Sequence, residues 1–195
     1  MMNITTSYVD MYNRIHTKTH ATVGKIKDLI ENEDISASDE LYTFLKEIED
    51  TFRRNKISAF TDIATYRIDL LSSRIALDQR VPQKSHQLEK AMALIPDITK
   101  TVHEALRPIK NRINESRVII KELISQAYDS NMVQYHEATN FSDFINALWR
   151  LLLNHDNFKT KAITVSQSIT NNDILYILAE EVHPGKKPAP KKVVG

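Results

Sequence analysis

The chain contains no cysteine and only three glycines in 195 residues. The lack of cysteine excludes disulfides, thiolate metal sites, iron–sulfur clusters and a cysteine nucleophile. Gly24 is the only glycine before residue 185, so two-residue hairpin turns and glycine-rich phosphate loops are not expected. These absences favour a helical protein, and no cofactor is predicted.

Long apolar runs are also absent. No stretch of about 18 or more apolar residues occurs, so no transmembrane helix is predicted. The first residues, "MMNITTSYVDMYNRIH", lack the basic and then apolar order of a secretory signal. We therefore expect a cytoplasmic or otherwise cell-interior protein, although leaderless export would leave no such trace.

Apolar residues spaced by threes and fours predict an all-α protein. With 42% hydrophobic residues the chain has enough apolar material for a core. We predict an antiparallel helical bundle of about five to seven helices, forming a single domain over residues 1–182. Long helices are predicted at about 4–31, 39–79 and 97–129, the first with a coiled-coil-like rhythm, and shorter ones at about 85–95, 142–155 and 172–182.

Two of these boundaries stay open at the level of sequence. Residues 39–79 contain neither proline nor glycine, and their periodicity is compatible with one helix or with two. Pro96 either starts a new helix or lies within a continuing one. After about residue 57 a second apolar face appears, which favours a central helix packed between neighbours. Its members are Phe60, Ala64, Ile68, Leu71 and Ile75.

A cationic stripe follows one side of the predicted helix at 97–129. On a wheel of about 100° per residue, the basic side chains separate from a narrow acidic row. A stripe of this kind could bind a polyanion such as a phosphate backbone, or it could be a solvated face balanced by neighbouring acids. Its candidate binding residues are Lys100, His103, Arg107, Lys110, Arg117 and Lys121.

The chain ends in a basic segment, "HPGKKPAPKKVVG", at residues 183–195. Pro184 and Gly185 predict the end of the last helix, and the further prolines favour an extended tail. Without the tail, 22 basic residues face 25 acidic ones, so the body has a net charge of −3 and the tail +4. We therefore interpret the tail first as an auxiliary contact or a flexible end, and second as a polyanion-binding arm that uses Lys186, Lys187, Lys191 and Lys192.

Histidine supplies the other candidate chemistry. His16 and His20 are four residues apart, so on a helix both could face one metal ion. No acidic residue lies between them and Lys18 opposes cation binding, so no metal site is predicted. Glu180-x-x-His183 is the single copy of a pattern that di-iron bundles use twice. No nucleophile motif accompanies any serine, and we expect a protein that is not an enzyme.

The only tryptophan lies in "FINALWRLLLNH". Trp149 and Leu153 are placed beside the core face of this predicted helix, as an edge that could bind a partner or a sister subunit. The alternative is a tryptophan in the bundle core.

Three functions follow from these patterns. The first is a non-enzymatic helical protein for protein–protein interaction or assembly, as a structural, adaptor or scaffold component, with self-association included. The second is a nucleic-acid-associated or capsid-type protein that uses the Lys100–Lys121 stripe and the tail. The third is a histidine-based signalling or metal-binding bundle. No small-molecule substrate is evident from the sequence.

Overall fold

The computed structural model describes residues 7–75, 82–133 and 140–182, of which 86% lie in seven helices. No strand occurs in these ranges, and the all-α prediction is confirmed. No helix in them is long and apolar enough to cross a bilayer. The helices are α1 (Tyr8–Glu31), α2 (Ser36–Arg54), α3 (Phe60–Ser72), α4 (Gln83–Asp129), α5 (Phe141–Asn154), α6 (Asp156–Ser168) and α7 (Asn171–Glu181).

Internal contacts divide the chain into two compact units. One unit runs from Asp10 to Pro108 and contains most of α1, then α2, α3 and the first part of α4. The other contains the described residues up to Val9 and from Ile109 onward, with the rest of α4 and α5 to α7. A single domain over 1–182 therefore stays a prediction. The predicted tail at 183–195 lies outside the described residues.

The predicted segment 39–79 consists of two helices, α2 and α3, and its last four residues lie outside the described ranges. Lys56 has a positive φ of 56°. Its N–H donates to the carbonyl of Arg53 at 3.2 Å, and the N–H of Ile57 donates to the carbonyl of Phe52 at 2.9 Å. These two bonds form a Schellman motif, which ends α2 without a glycine. Hydrophobic periodicity does not reveal the end of α2, because the left-handed position of the motif is a lysine and not the usual glycine.

A Schellman motif without glycine also ends α1 and α4. Glu33 and Asn131 have φ values of 52° and 54°, and each closes the preceding helix with the same pair of backbone hydrogen bonds. Left-handed backbone costs a residue with a Cβ about 1–2 kcal/mol. This glycine-poor chain therefore accepts some strain at three helix ends.

The predicted helices at 85–95 and 97–129 form one helix, α4, which continues through Pro96 and Pro108. Proline has a backbone φ that suits a helix, and its cost is mainly a lost hydrogen bond and a clash with the preceding turn. Apolar burial on both sides of Pro96 offsets that cost, since Leu94, Ile95 and Ile98 are at most 6% exposed.

The core of the Asp10–Pro108 unit contains one face of α2 and one of α3. Leu41, Leu45, Ile48 and Phe52 are buried on α2, and Ile63 and Leu70 on α3, as their spacing predicts. Glu49 is also buried and accepts hydrogen bonds from Arg53 of α2 and from Arg67 of α3, the latter at 2.8 Å. The ion pair between Glu49 and Arg67 connects α2 to α3.

The second apolar face of α3 differs from the prediction. Ile68 is 62% exposed, and Ile75, just beyond the helix, is 66% exposed. Phe60, Ala64 and Leu71 are half-buried. The described residues therefore do not sandwich α3 between neighbours, because only its Ile63–Leu70 face is fully packed.

The helices after residue 140 include one that periodicity does not predict. Helices α5 and α7 match the predictions at 142–155 and 172–182 to within one residue. The segment of α6 is rich in Thr and Ser, which favour turns and caps, so its apolar signal is weak. Only Phe158, Ala162 and Val165 are buried on it. Its start is defined by His155, whose Nδ1 accepts a hydrogen bond from the N–H of Asn157.

Candidate metal centre

Helix α1 places two imidazoles on one side of its middle turns. Ile15, Thr19 and Ile26 are buried and fix the inward face of α1 in this region. His16 and His20 therefore lie one turn apart along the border of that face. Their ring centroids are 4.6 Å apart with an interplanar angle of 63°. The pair is thus close enough to share one ligand.

Helix α4 adds a third imidazole to the pair. Val102 and Leu106 are buried, and they hold His103 at the edge of the packed face. The His103 ring centroid lies 6.0 Å from that of His16 and 5.7 Å from that of His20. One nitrogen of each ring can be chosen so that the three atoms lie within 4.8 Å of one another. All three histidines belong to the Asp10–Pro108 unit.

The spacing of these rings suits a transition-metal ion. Zinc–nitrogen bonds of about 2.0–2.1 Å put the nitrogens of a tetrahedral site about 3.4 Å apart and the ring centroids roughly 5 Å apart. The centroid distances already bracket that value. The nitrogens would have to approach by about 1.4 Å at most. Rotation of the side chains provides this movement, since His20 and His103 are exposed and His16 is half-buried.

The charges around α1 do not oppose a cation as the sequence suggests. Lys18 lies between the two histidines in sequence, but its ammonium forms a salt bridge with Glu47 of α2. Lys25 likewise pairs with Glu40 at 2.6 Å. Both lysines therefore have a carboxylate partner, which reduces their repulsion of a cation at His16 and His20.

The cationic stripe on α4 divides into two parts. Arg117 donates to Glu180 at 2.7 Å and to Glu181 at 2.9 Å, and Lys121 lies 3.4 Å from Glu181. Burial lowers the pKa of the Arg117 guanidinium, but the hydrogen bonds to both carboxylates outweigh it and raise the pKa. This end of the stripe is thus bound to α7.

The remaining members of the stripe lie nearer the start of α4. In the described part of the chain, Lys100, Arg107 and Lys110 take part in no salt bridge. His103 belongs to the histidine cluster. The tail lysines at 186, 187, 191 and 192 lie outside the described residues, as does His183. Polyanion binding by this stripe stays a prediction, now with Arg117 and Lys121 already paired.

The predicted partner edge on α5 is only partly at the surface. Trp149 is 5% exposed and lies in the core, so its placement on an exposed edge is corrected. Helix α5 carries a broad apolar face that includes Ile145 as well as Leu148, and this breadth buries the indole. Leu153 is half-buried. Partner binding through Leu153 stays a prediction.

A second polar cluster surrounds Asp173 at the start of α7. Its carboxylate accepts hydrogen bonds from the Ser7 hydroxyl at 2.6 Å and from the backbone N–H groups of Tyr8 and Val9 at 3.1 and 2.9 Å. It also accepts from the hydroxyl and the N–H of Thr170, at 2.6 and 3.2 Å, in a capping box. One carboxylate thus caps the N-termini of both α1 and α7.

Asp173 is fully buried. Burial raises the pKa of its carboxyl group, but the hydrogen bonds from Ser7, Thr170, Val9 and Tyr8 outweigh that effect and lower the pKa. Its oxygens are occupied by groups of the protein itself. This cluster therefore stabilises the fold and offers no site for a ligand.

No family model, no curated protein and no solved structure matches this chain. Its function therefore has to be inferred from its own residues.

Proposed function

We propose that this protein binds one divalent transition-metal ion, with zinc as the reference ion, through His16, His20 and His103. The observation that supports this function is the convergence of three imidazoles from two helices, with ligand nitrogens within 4.8 Å. Three histidines and one open position are the ligand set of several zinc sites. The proposal includes no catalytic step.

The ligand chemistry favours some ions over others. Imidazole nitrogen suits zinc, copper and nickel, whereas calcium and magnesium require oxygen ligands. No carboxylate belongs to this cluster among the described residues. We therefore expect the affinities of divalent ions to rise from manganese through cobalt and nickel to copper, with zinc below copper. Calcium and magnesium should not compete.

Zinc stoichiometry measured by equilibrium dialysis tests this function. The wild-type chain should bind one zinc ion with a dissociation constant that both His20→Ala and His103→Ala weaken by about 10-fold or more, since each removes one of three ligands. His86→Ala is the matched control, because His86 lies on α4 but not in the cluster. Equal zinc affinity in wild type, His20→Ala and His103→Ala would contradict the proposal.

A second function is supported by the second apolar face of α3. We propose that this face, Phe60, Ala64, Ile68, Leu71 and Ile75, packs against the same face of a second copy of the chain. The exposure of Ile68 at 62% and Ile75 at 66% supports this. An isologous contact would bury the same row on both copies. This is the assembly function that the sequence favours, with the contact placed on α3 and not on Trp149.

Sedimentation over a concentration series tests the assembly function. The wild type should form a dimer whose population rises with concentration, and Ile68→Glu should shift the equilibrium towards the monomer because it places a charge in the apolar contact. Ile163→Glu is the control, since Ile163 is 39% exposed on α6, outside the row. A wild type that stays monomeric, or a dimer that Ile68→Glu leaves intact, would refute this contact.

A further inference from the structure

A groove begins beside the histidine cluster and is lined by α1 and α4. His20 and His103 form part of its wall, so an ion held by the cluster would face the groove through two of its three ligands. The volume of the groove is about 790 Å³, within the range of small-molecule sites. Its lining residues extend about 10 Å along α1 and about 18 Å along α4. The groove is thus elongated and begins at the metal position.

The lining combines positive charge with apolar surface. Lys27 and Lys100 contribute ammonium groups and Glu104 is the single acid. Neither lysine takes part in a salt bridge within the described part of the chain. The apolar part consists of Val23, Met92, Ile95 and Pro96. Met92 is 45% exposed, so its side chain is available to a ligand in the groove.

Charge complementarity selects the ligand class. Three neutral imidazoles leave the charge of a divalent ion uncompensated, and the two lysines add to it. Lys100 lies one turn before His103 on α4, and both residues line the groove. A carboxylate oxygen satisfies both the open coordination position and the ammonium of Lys100. The apolar wall then accommodates an alkyl chain that extends away from the carboxylate.

We infer that the groove binds an aliphatic monocarboxylate, with its carboxylate on the metal ion and Lys100 and its alkyl chain along Val23, Ile95 and Met92. This inference rests on the proposed metal function, because the carboxylate needs the ion as a partner. It adds the chemical class of the fourth ligand, which the three histidines alone do not specify.

Calorimetric titration of the full chain with octanoate tests the inference after zinc binding has been measured separately. Octanoate should bind the zinc-loaded protein at least about 10-fold more tightly than the zinc-free protein. Octanol has the same alkyl chain without the carboxylate, and acetate has the carboxylate without the chain. Both should bind more weakly than octanoate if metal, charge and apolar wall act together.

Substitution of one lysine separates the groove from the metal site. Lys100→Gln should weaken octanoate by about 5-fold, the effect of one partly exposed charge pair, and should not weaken zinc binding, because the lysine is not a metal ligand and its positive charge opposes the ion. Lys110→Gln is the control, since Lys110 lies on α4 beyond the lining of the groove. Octanoate binding that is independent of zinc, equal to octanol, or absent from the zinc-loaded protein would overturn the inference while the metal function stands. Failure of zinc itself to bind would overturn both.

Discussion

The histidine cluster and the polar cluster around Asp173, the Asp173 junction, are both built from segments far apart in the sequence. They differ in whether their polar atoms already have partners within the protein. Asp173 is 0% exposed, and the hydroxyl and N–H groups of Ser7, Tyr8, Val9 and Thr170 occupy its carboxylate. His20 and His103 lie at the surface beside an open groove. The first cluster is closed and the second is accessible.

Because of this difference, we expect the Asp173 junction to contribute to stability and the histidine cluster to ligand binding. A buried carboxylate that accepts hydrogen bonds from two helix N-termini contributes to the folded state through every one of those bonds. Exposed imidazoles contribute little to folding, because water solvates them equally well in the unfolded chain. His20 and His103 should therefore matter for stability only when a ligand is bound.

The largest effect on the unliganded protein is expected from Asp173→Ala. This change removes the shared acceptor of the part-buried and buried donors at two helix starts, and we expect a loss of about 3 kcal/mol in the free energy of unfolding. Urea denaturation at neutral pH measures it. Asp143→Ala is the control, because Asp143 is exposed in the first turn of α5, and it should cost below about 1 kcal/mol. Equal losses in the two variants would contradict the role of the junction.

Zinc should raise the free energy of unfolding of the wild type by an amount close to the loss expected for Asp173→Ala. At a free zinc concentration 100 times the dissociation constant, binding to the folded state alone adds about 2.7 kcal/mol. His103→Ala, with zinc affinity weakened by about 10-fold or more, should lose about 1.3 kcal/mol or more of this increment, and His86→Ala should keep it. Denaturation in zinc-buffered solutions gives the increments. A gain that persists undiminished in His103→Ala would place the ion elsewhere.

A smaller, pH-dependent effect should distinguish Asp173 from ordinary surface acids. Its folded-state pKa is lowered by the hydrogen bonds it accepts, net of burial, relative to about 3.9 in the unfolded chain. The carboxylate therefore stabilises the protein above the unfolded-state pKa, and this contribution is lost as pH falls through the folded-state pKa. The advantage of wild type over Asp173→Asn should be constant near neutral pH and shrink below about pH 4.

Unfolding experiments from pH 7 down to pH 3 test that dependence, with Asp143→Asn in parallel. The difference between wild type and Asp143→Asn should change much less with pH, because Asp143 is exposed. A wild-type advantage over Asp173→Asn that grows on acidification would have the wrong sign.

The smallest effect is expected from the histidines in the absence of metal. His20→Ala removes an exposed side chain, and we expect the free energy of unfolding in a chelating buffer to change by less than about 0.5 kcal/mol. Thermal or urea unfolding checks this directly. A loss approaching that of Asp173→Ala would show that the cluster is structural, and the contrast between the two sites would fail.

The sequence predicts the helical class and the proximity of His16 and His20, because both depend on local periodicity. It does not predict that His103 joins them, since this depends on the side-by-side packing of α1 and α4. The salt bridge between Lys18 and Glu47 is equally non-local, so the sequence does not reveal that Lys18 has a carboxylate partner. His103, which the sequence assigns to the cationic stripe on α4, thus lies in the histidine cluster.

Of the two helix caps at the Asp173 junction, the cap of α7 can be predicted from the sequence and the cap of α1 cannot. Thr170 and Asp173 have the spacing of a capping box, which indicates the start of α7 from sequence alone. That the same carboxylate caps α1 requires residues 7–9 to lie beside α7, which no pattern near either segment reveals. The end of α2 is not predicted for another reason, because the left-handed residue that follows it, Lys56, is not a glycine.

Anomalous diffraction at the zinc edge, from crystals of the zinc-loaded full chain, tests the central claim most directly. The metal site predicts one strong peak within about 2.0–2.1 Å of one nitrogen from each of His16, His20 and His103. A peak bound by other residues, with these three side chains at their metal-free spacing, would contradict it.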